Sequence, residues 1–295
     1  MNARALVVGG AIVLAIGGTV WWLRPGPEPS AVVATTGVVS PGAGDQATPD
    51  AGDQASGDLP IPPFPPRIAD TDQYDQCMTM LTNDPEAAEA IATTWQAAGG
   101  GDAATHCQAM ATIANGEPEA GAQMLENLAH GTKMQGLTRA VLLGQAAEAR
   151  LMADQAAPAL KDVSEALVIS PNDPDLLIGR ANANDALGRA ADAMDDLNQA
   201  LSLDGSRGDA LVLRASVWRR MDRLDEARSD IDRAIALDPE DAEALLERGI
   251  LRQRTGDAAG ARQDWQHARE ADPNSEAAEL AAQNLTLLDA GPDKK

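Results

Sequence analysis

A chain of 295 residues with a formal net charge of −22 lacks the basic surface that nucleic-acid phosphates demand, which excludes DNA and RNA as partners. Five Trp, one Tyr and one Phe are too few for a conventional globular core, whereas a helical array built from Ala and Leu needs no more.

After a short tail at 1–4, residues 5–23 contain no charged side chain. As a helix this run would reach roughly 28 Å, about the thickness of the bilayer core. It is expected to be an uncleaved transmembrane anchor, with Trp21 and Trp22 at the interface. The alternative is a cleaved signal peptide using Val32-Val33-Ala34, a tripeptide that lies well past Trp22 and beyond three prolines. Arg4 and Arg24 flank the run on opposite sides, so the positive-inside rule gives almost no orientation.

Residues 24–70 hold ten of the 18 prolines and the near-duplicates Gly44-Asp45-Gln46-Ala47 and Gly52-Asp53-Gln54-Ala55, the composition of a disordered linker. Flexible-chain scaling gives it roughly 35–40 Å of reach. Pro60 to Pro66, with Ile61 and Phe64, is stiffer, and is either a plain spacer or a polyproline stretch that docks on the first helices.

Residues 71–139 carry weak helical repeats. Asp72–Leu81 and Pro85–Ala98 form one expected pair, bounded by Asn83-Asp84-Pro85 and Gly99-Gly100-Gly101. A degenerate unit over 102–135 follows, with a few extra residues before 140. Cys77 and Cys107 are the only cysteines, each on one of these helices. A disulfide between them would close a loop of about thirty residues, worth roughly 3 kcal/mol, and would imply an oxidising compartment. The alternative is two buried thiols. With the short segment before the span, the disulfide places the chain in a bacterial inner membrane, single-pass and N-in, with its repeats in the periplasm.

From Ala140 to Ser275 a 34-residue pattern recurs four times, over 140–173, 174–207, 208–241 and 242–275. Position 8 is Ala147, Ala181, Ala215 and Gly249, and position 20 is Ala159, Ala193, Ala227 and Ala261. Position 24 is Val163, Leu197, Ile231 and Trp265, position 27 is Ala166, Ala200, Ala234 and Ala268, and position 32 is Pro171, Gly205, Pro239 and Pro273. On these residues the chain resembles the tetratricopeptide repeat (TPR) family, here in a membrane-anchored bacterial form. The resemblance implies an all-α fold, a right-handed α-solenoid of helix-turn-helix units whose stacking shares one core. In unit three the helices are expected at Ala210–Met221 and Leu224–Leu237, ended by Asp238-Pro239. A capping helix over 276–289 and a tail over 290–295 complete about twelve helices and no strand.

No nucleophile elbow, phosphate-cradling loop or zinc-ligand spacing occurs, so no catalytic residue, metal or cofactor is expected, and the chain is not read as an enzyme. His106 and Cys107 are adjacent and point about 100° apart on a helix, a poor dyad. His130 and His267 are expected on helix surfaces, Asp195-Asp196 and Glu240-Asp241 as solvated charges, and Trp95, Trp218 and Trp265 as packing residues.

The family resemblance further implies a concave groove lined by positions 2, 5, 9, 12 and 13 of each first helix. The candidate binding residues there are Ile178, Asn182, Val212, Ser216, Arg219, Arg220, Leu246, Ile250 and Arg254. An apolar centre accepts side chains of a protein or peptide partner, and the arginines pair with its acidic groups or C-terminal carboxylate. Salt bridges to Asp222, Asp225 and Asp257 are the alternative use of those arginines. Relatives that clamp a chaperone's C-terminal carboxylate use a lysine and an asparagine; Asn182 matches the asparagine, but Ile178 stands at the lysine position. The expected function is a membrane-anchored extracytoplasmic adaptor supporting an envelope complex, with cytochrome c maturation or a secretion-associated role as narrower versions. An enzyme or small-ligand receptor using the groove or the Cys77 region is the alternative.

Overall fold

The computed structural model describes residues 68–131 and 135–290. The anchor at 5–23, nearly all of the linker at 24–70, part of the insertion before 140 and the tail from 291 lie outside these residues. No helix among the described residues is long and apolar enough to cross a membrane.

Thirteen α-helices and no strand occur among the described residues, one helix more than the sequence pattern suggests. They are α1 (Asp72–Met80), α2 (Pro85–Ala97), α3 (Gly101–Ala114), α4 (Pro118–Ala129), α5 (Leu137–Met152), α6 (Ala156–Ile169), α7 (Pro174–Ala186), α8 (Ala190–Leu203), α9 (Gly208–Arg220), α10 (Leu224–Leu237), α11 (Ala242–Arg254), α12 (Ala258–Ala271) and α13 (Glu276–Ala290). The 34-residue units fall on α5–α6, α7–α8, α9–α10 and α11–α12, with each helix packed on the next in chain order. Unit one starts early: α5 begins ahead of Ala140, entered through Gly136 at φ 59° in place of an aspartate cap.

The turns inside the units share one device. Position 15 is left-handed in five of them, at Gly116, Asp154, Gly188, Asp222 and Gly256, with φ between 58° and 90°. Glycine enters that region freely, and aspartate is among the few other residues that tolerate it. The reversal lets the following N–H reach back to an orphan carbonyl, as when Gln155 N–H donates to Arg150 O and Asp257 N–H to Arg252 O, both at 2.8 Å. Two aspartates start first helices: Asp173 accepts from the N–H of Asp175 at 3.0 Å, and Asp241 from those of Glu243 and Ala244 at 2.9 and 3.1 Å. Asp241 is therefore a cap and not the solvated charge expected from sequence.

The small residues at positions 8, 20 and 27 are buried in all four units, as are the larger residues at position 24. A further row, which the sequence reading does not single out, joins them at position 4: Leu143, Leu177, Leu211 and Leu245 are buried throughout. In α13 the same position is the exposed Glu279, which no helix among the described residues covers. Unit four shows how tightly the rows are coupled. Trp265 is 0% exposed, and its indole N–H donates to Leu246 O at 3.2 Å. A Cβ at Gly249 would lie 2.3 Å from the Trp265 ring nitrogen, so glycine replaces alanine at position 8 where tryptophan occupies position 24.

Each unit is also clamped by a buried ion pair. Arg180, Arg214 and Arg248 at position 7 grip Asp196, Asp230 and Asp264 at position 23 through two parallel bonds each. These measure 2.9 and 2.6 Å, 2.7 and 2.7 Å, and 3.0 and 2.7 Å. Unit one has alanine at position 7, and its Asp162 is met by Arg150, one turn further along α5, at 2.6 Å. Asp196, a solvated charge in the sequence reading, is buried because it crosses to the first helix and not outward. The fork of guanidinium suits this geometry, since planar bidentate bonds fix both distance and angle between the helices.

At the N-terminal end, Cys77 of α1 and Cys107 of α3 form a disulfide, with Cα atoms 6.3 Å apart. Beside it the Tyr74 hydroxyl and His106 Nδ1 lie 2.9 Å apart, and His106 Nε2 meets Gln145 Oε1 of α5 at 2.8 Å. Helix α1, with no partner of its own unit to its N-terminal side among the described residues, is thus tied to α3 covalently and by a buried polar chain.

Two outcomes are expected in thermal melts. Gly249→Ala should cost about 1–3 kcal/mol through overpacking, despite alanine's better helix propensity, and W265L in that background should restore most of the loss. Arg214→Met, which leaves the Asp230 carboxylate with the more distant Arg233 Nη1 at 3.6 Å, should cost about 3 kcal/mol, while the R214M/D230L double variant should recover much of it. Equal melts for R214M and the double variant would show that the carboxylate had found another partner.

Candidate functional site

Which face is concave follows from packing. Helices α5, α7, α9, α11 and α13 touch their successors in the odd series, and the even series among the described residues shows no contact of that extent. A curved stack brings its inner elements together and splays its outer ones, so the odd helices line the inside.

Along the inside run three rows set by the repeat. The central row, position 5, is Ile178, Val212, Leu246 and, in the cap, Leu280. Exposure rises along it, from 4% at Ile178 and 9% at Val212 to 39% at Leu280, with Leu246 half-buried. Ile250 is also half-buried and Leu287 is 67% exposed, so the usable apolar surface lies toward the C-terminal end. Little of Ile178 and Val212 is available to a ligand, because the crowding of successive odd helices covers them. Asn182 and Ser216, at position 9, are half-buried between these rows.

The second row, at positions 12 and 13, holds Arg219, Arg220 and Arg254. The sequence offers this as a basic end for an acidic partner, but each guanidinium already has a carboxylate. Arg219 pairs with Glu247 and also donates to Ser216 Oγ at 3.2 Å. Arg220 pairs with Asp185 of the preceding unit. Arg254 reaches Asp222 Oδ1 at 3.0 Å and Arg219 O at 2.9 Å. Of the three aspartates proposed from sequence as partners, Asp222 is the one that these arginines engage. Glu247 and Asp185 escape a sequence reading because they face the arginines across unit boundaries.

The third row, at positions 1 and 2, is acidic. Arg207 sits between Asp175 at 2.7 Å and Asp209 at 2.6 Å, a single cation for two anions. Glu243, Glu276 and, deeper along α5, Glu148 have no ion pair among the described residues. Glu148 has water-accessible surface, yet the concave wall around it removes enough solvent, with the Asp175 charge assisting, to push its carboxyl up to about 7. Glu243 is pushed up to about 7 by burial and by the charges of Asp241, Asp209 and Glu276. Glu276 is raised as well, by burial first and then by Glu279 and Asp154. The sequence places Glu148 and Glu243 on groove positions but gives no sign of this crowding, which arises only when the units curve.

Other sequence candidates settle elsewhere. His106 is buried with both ring nitrogens engaged, and burial holds its pKa down to about 4 against the opposing pull of the Gln145 bond. His130 and His267 lie on the surface beside Glu165 and Glu240. No group of three or more His, Cys, Asp or Glu among the described residues is placed to hold a metal ion.

A carboxyl whose folded pKa is raised takes up a proton more readily when folded. Glu148 and Glu243 therefore favour folding at low pH and oppose it as pH rises from their ordinary 4.5 through about 7. Glu243→Gln should accordingly raise Tm by about 2 °C at pH 8 and leave it unchanged at pH 5. A gain of the same size at both values would show that charge is not the cause.

The geometry has known counterparts. Residues 213–286 match the family model described as Tetratricopeptide repeat. No curated protein matches the chain in sequence. A thermophilic TPR protein of Thermus thermophilus superposes with a TM-score of 0.55 at 17% identity, over 63% of this chain and 98% of that one. PilF of Pseudomonas aeruginosa gives 0.55 at 14% identity, over 73% and 95%. A chain of the APC/C hetero-tetramer Cut9–Hcn1 gives 0.59 at 13%, over 73% and 42%. At these identities the likeness extends to the fold alone, and the tetratricopeptide repeat match rests on residues 213–286.

Proposed function

We propose that this protein is a membrane-anchored adaptor whose repeat array works outside the cytoplasm and holds protein or peptide partners in its concave face, supporting assembly of an envelope complex. The observation that carries the reading is the apolar row at position 5, which emerges from the core toward its C-terminal end and leaves Leu280 exposed, with the exposed Leu287 at position 12 of the same helix. Leucines in that setting offer a partner more apolar contact than an isolated surface residue does. The uncharged run at 5–23 supports the anchor, and the Cys77–Cys107 bond supports an oxidising compartment.

Crosslinking in native membranes tests the adaptor directly. Replacing Leu280 and Leu287 by Asp, at positions exposed enough to leave the fold intact, should remove the main crosslinked partners. An unchanged set of partners would place binding elsewhere. For the compartment, a C-terminal reporter active only in the periplasm should be active, and silence would put the array on the other side.

A further inference from the structure

We infer that the concave face accepts a partner segment carrying lysine or arginine beside apolar side chains, a proposal that rests on the adaptor reading above and gives its partner a chemistry. Two features of the inner surface converge on it. The apolar row supplies contact area, most of it at Leu246 and Leu280, and Leu287 at position 12 of α13 adds to it. Alongside runs the acidic row, where Arg207 serves both Asp175 and Asp209 and where Glu148, Glu243 and Glu276 have no cation among the described residues.

The opposite edge decides the sign. Arg219, Arg220 and Arg254 are engaged by Glu247, Asp185 and Asp222, so an acidic segment would have to displace an internal carboxylate for each new pair it formed. A cationic segment displaces nothing. It meets carboxylates whose mutual repulsion it relieves, and complementary potential across a groove favours both encounter and register. The raised pKa values of Glu148 and Glu243 are consistent with this, since neighbouring carboxylates crowd both groups and Glu243 is half-buried as well.

The test uses the full-length protein and two fluorescent synthetic peptides of equal length, each with leucine at every other position, one with lysine between the leucines and one with glutamate. The lysine peptide should bind about tenfold more tightly than the glutamate peptide. The E148Q/E243Q/E276Q triple variant, which removes charge without removing volume, should weaken the lysine peptide by about tenfold. A charge-matched set on the even helices, D195N/D232N/E270Q, should leave it unchanged. If both sets weaken binding equally, the peptide senses only the net charge of the chain and the proposal fails. If the glutamate peptide binds better, and loses affinity in L280D/L287D, the groove is a binding site of the opposite preference: the cationic proposal fails while the adaptor reading stands. If neither peptide responds to the glutamine triple or to L280D/L287D, both readings fall.

Discussion

Everything in this array depends on how closely two antiparallel helices can approach within a unit. Alanine opposite alanine at positions 8 and 20 sets that distance, and the buried Arg–Asp fork between positions 7 and 23 fixes the angle. The two devices work on different terms. Small side chains permit close approach but do not select one rotation over another, whereas a bidentate pair is satisfied at one geometry only. Its desolvation cost offsets most of its attraction, so the pair specifies more than it stabilises. Repeated at a fixed spacing, a fixed angle becomes a fixed curvature, and the curvature makes the concave face.

The unit boundaries and the small-residue rows are legible in the sequence because they lie at constant spacing on single helices. The position-4 leucines and the Arg–Asp clamp have the same spacing and are equally visible in principle. The leucines occupy a large-residue position of the repeat pattern, whereas the clamp puts arginine where that pattern has leucine, and a buried Arg or Asp looks in a sequence like any surface charge. The groove arginines are different. Their positions are readable, but their partners Asp185 and Glu247 belong to neighbouring units, and pairing across a boundary depends on how one unit is rotated against the next. No residue spacing within a unit encodes that rotation. The crowding of Glu148, Glu243 and Glu276 is hidden for the same reason, since it requires carboxylates from different units to converge on one concavity.

Charge in this chain is consequently sorted by depth and not by sequence block. Arginines are abundant in the last two units, and a linear reading makes that end basic. In three dimensions many of those guanidinium groups lie within the clamp or between units, where carboxylates already engage them. What is left uncompensated on the inner surface is negative. A protein with excess acid can keep its arginines for structure and still present a strongly charged groove, and the groove takes the sign of the excess.

The N-terminal end meets a different requirement. Each inner unit is covered on both sides by neighbours, but α1 packs lightly and has little apolar surface to share: the cluster around the disulfide consists of Cys77, Ala92 and Cys107, with Met78 at its edge. Among the described residues no further helix covers α1, and a unit that lacks one of the two interfaces on which stability depends tends to fray. Closing a loop of about thirty residues with a disulfide offers about 3 kcal/mol that does not rely on buried area. The His106 chain adds a directional link between Tyr74 on α1 and Gln145 on α5, passing through α3. The opposite end needs no such staple, since α13 buries Ala277, Ala281 and Leu285 against α11 and α12 and turns Glu279 to water. One end is therefore closed by packing and the other by covalent chemistry. On that account the disulfide matters most to the first helices, and its loss should loosen α1 while the four regular units and their concave face keep their geometry.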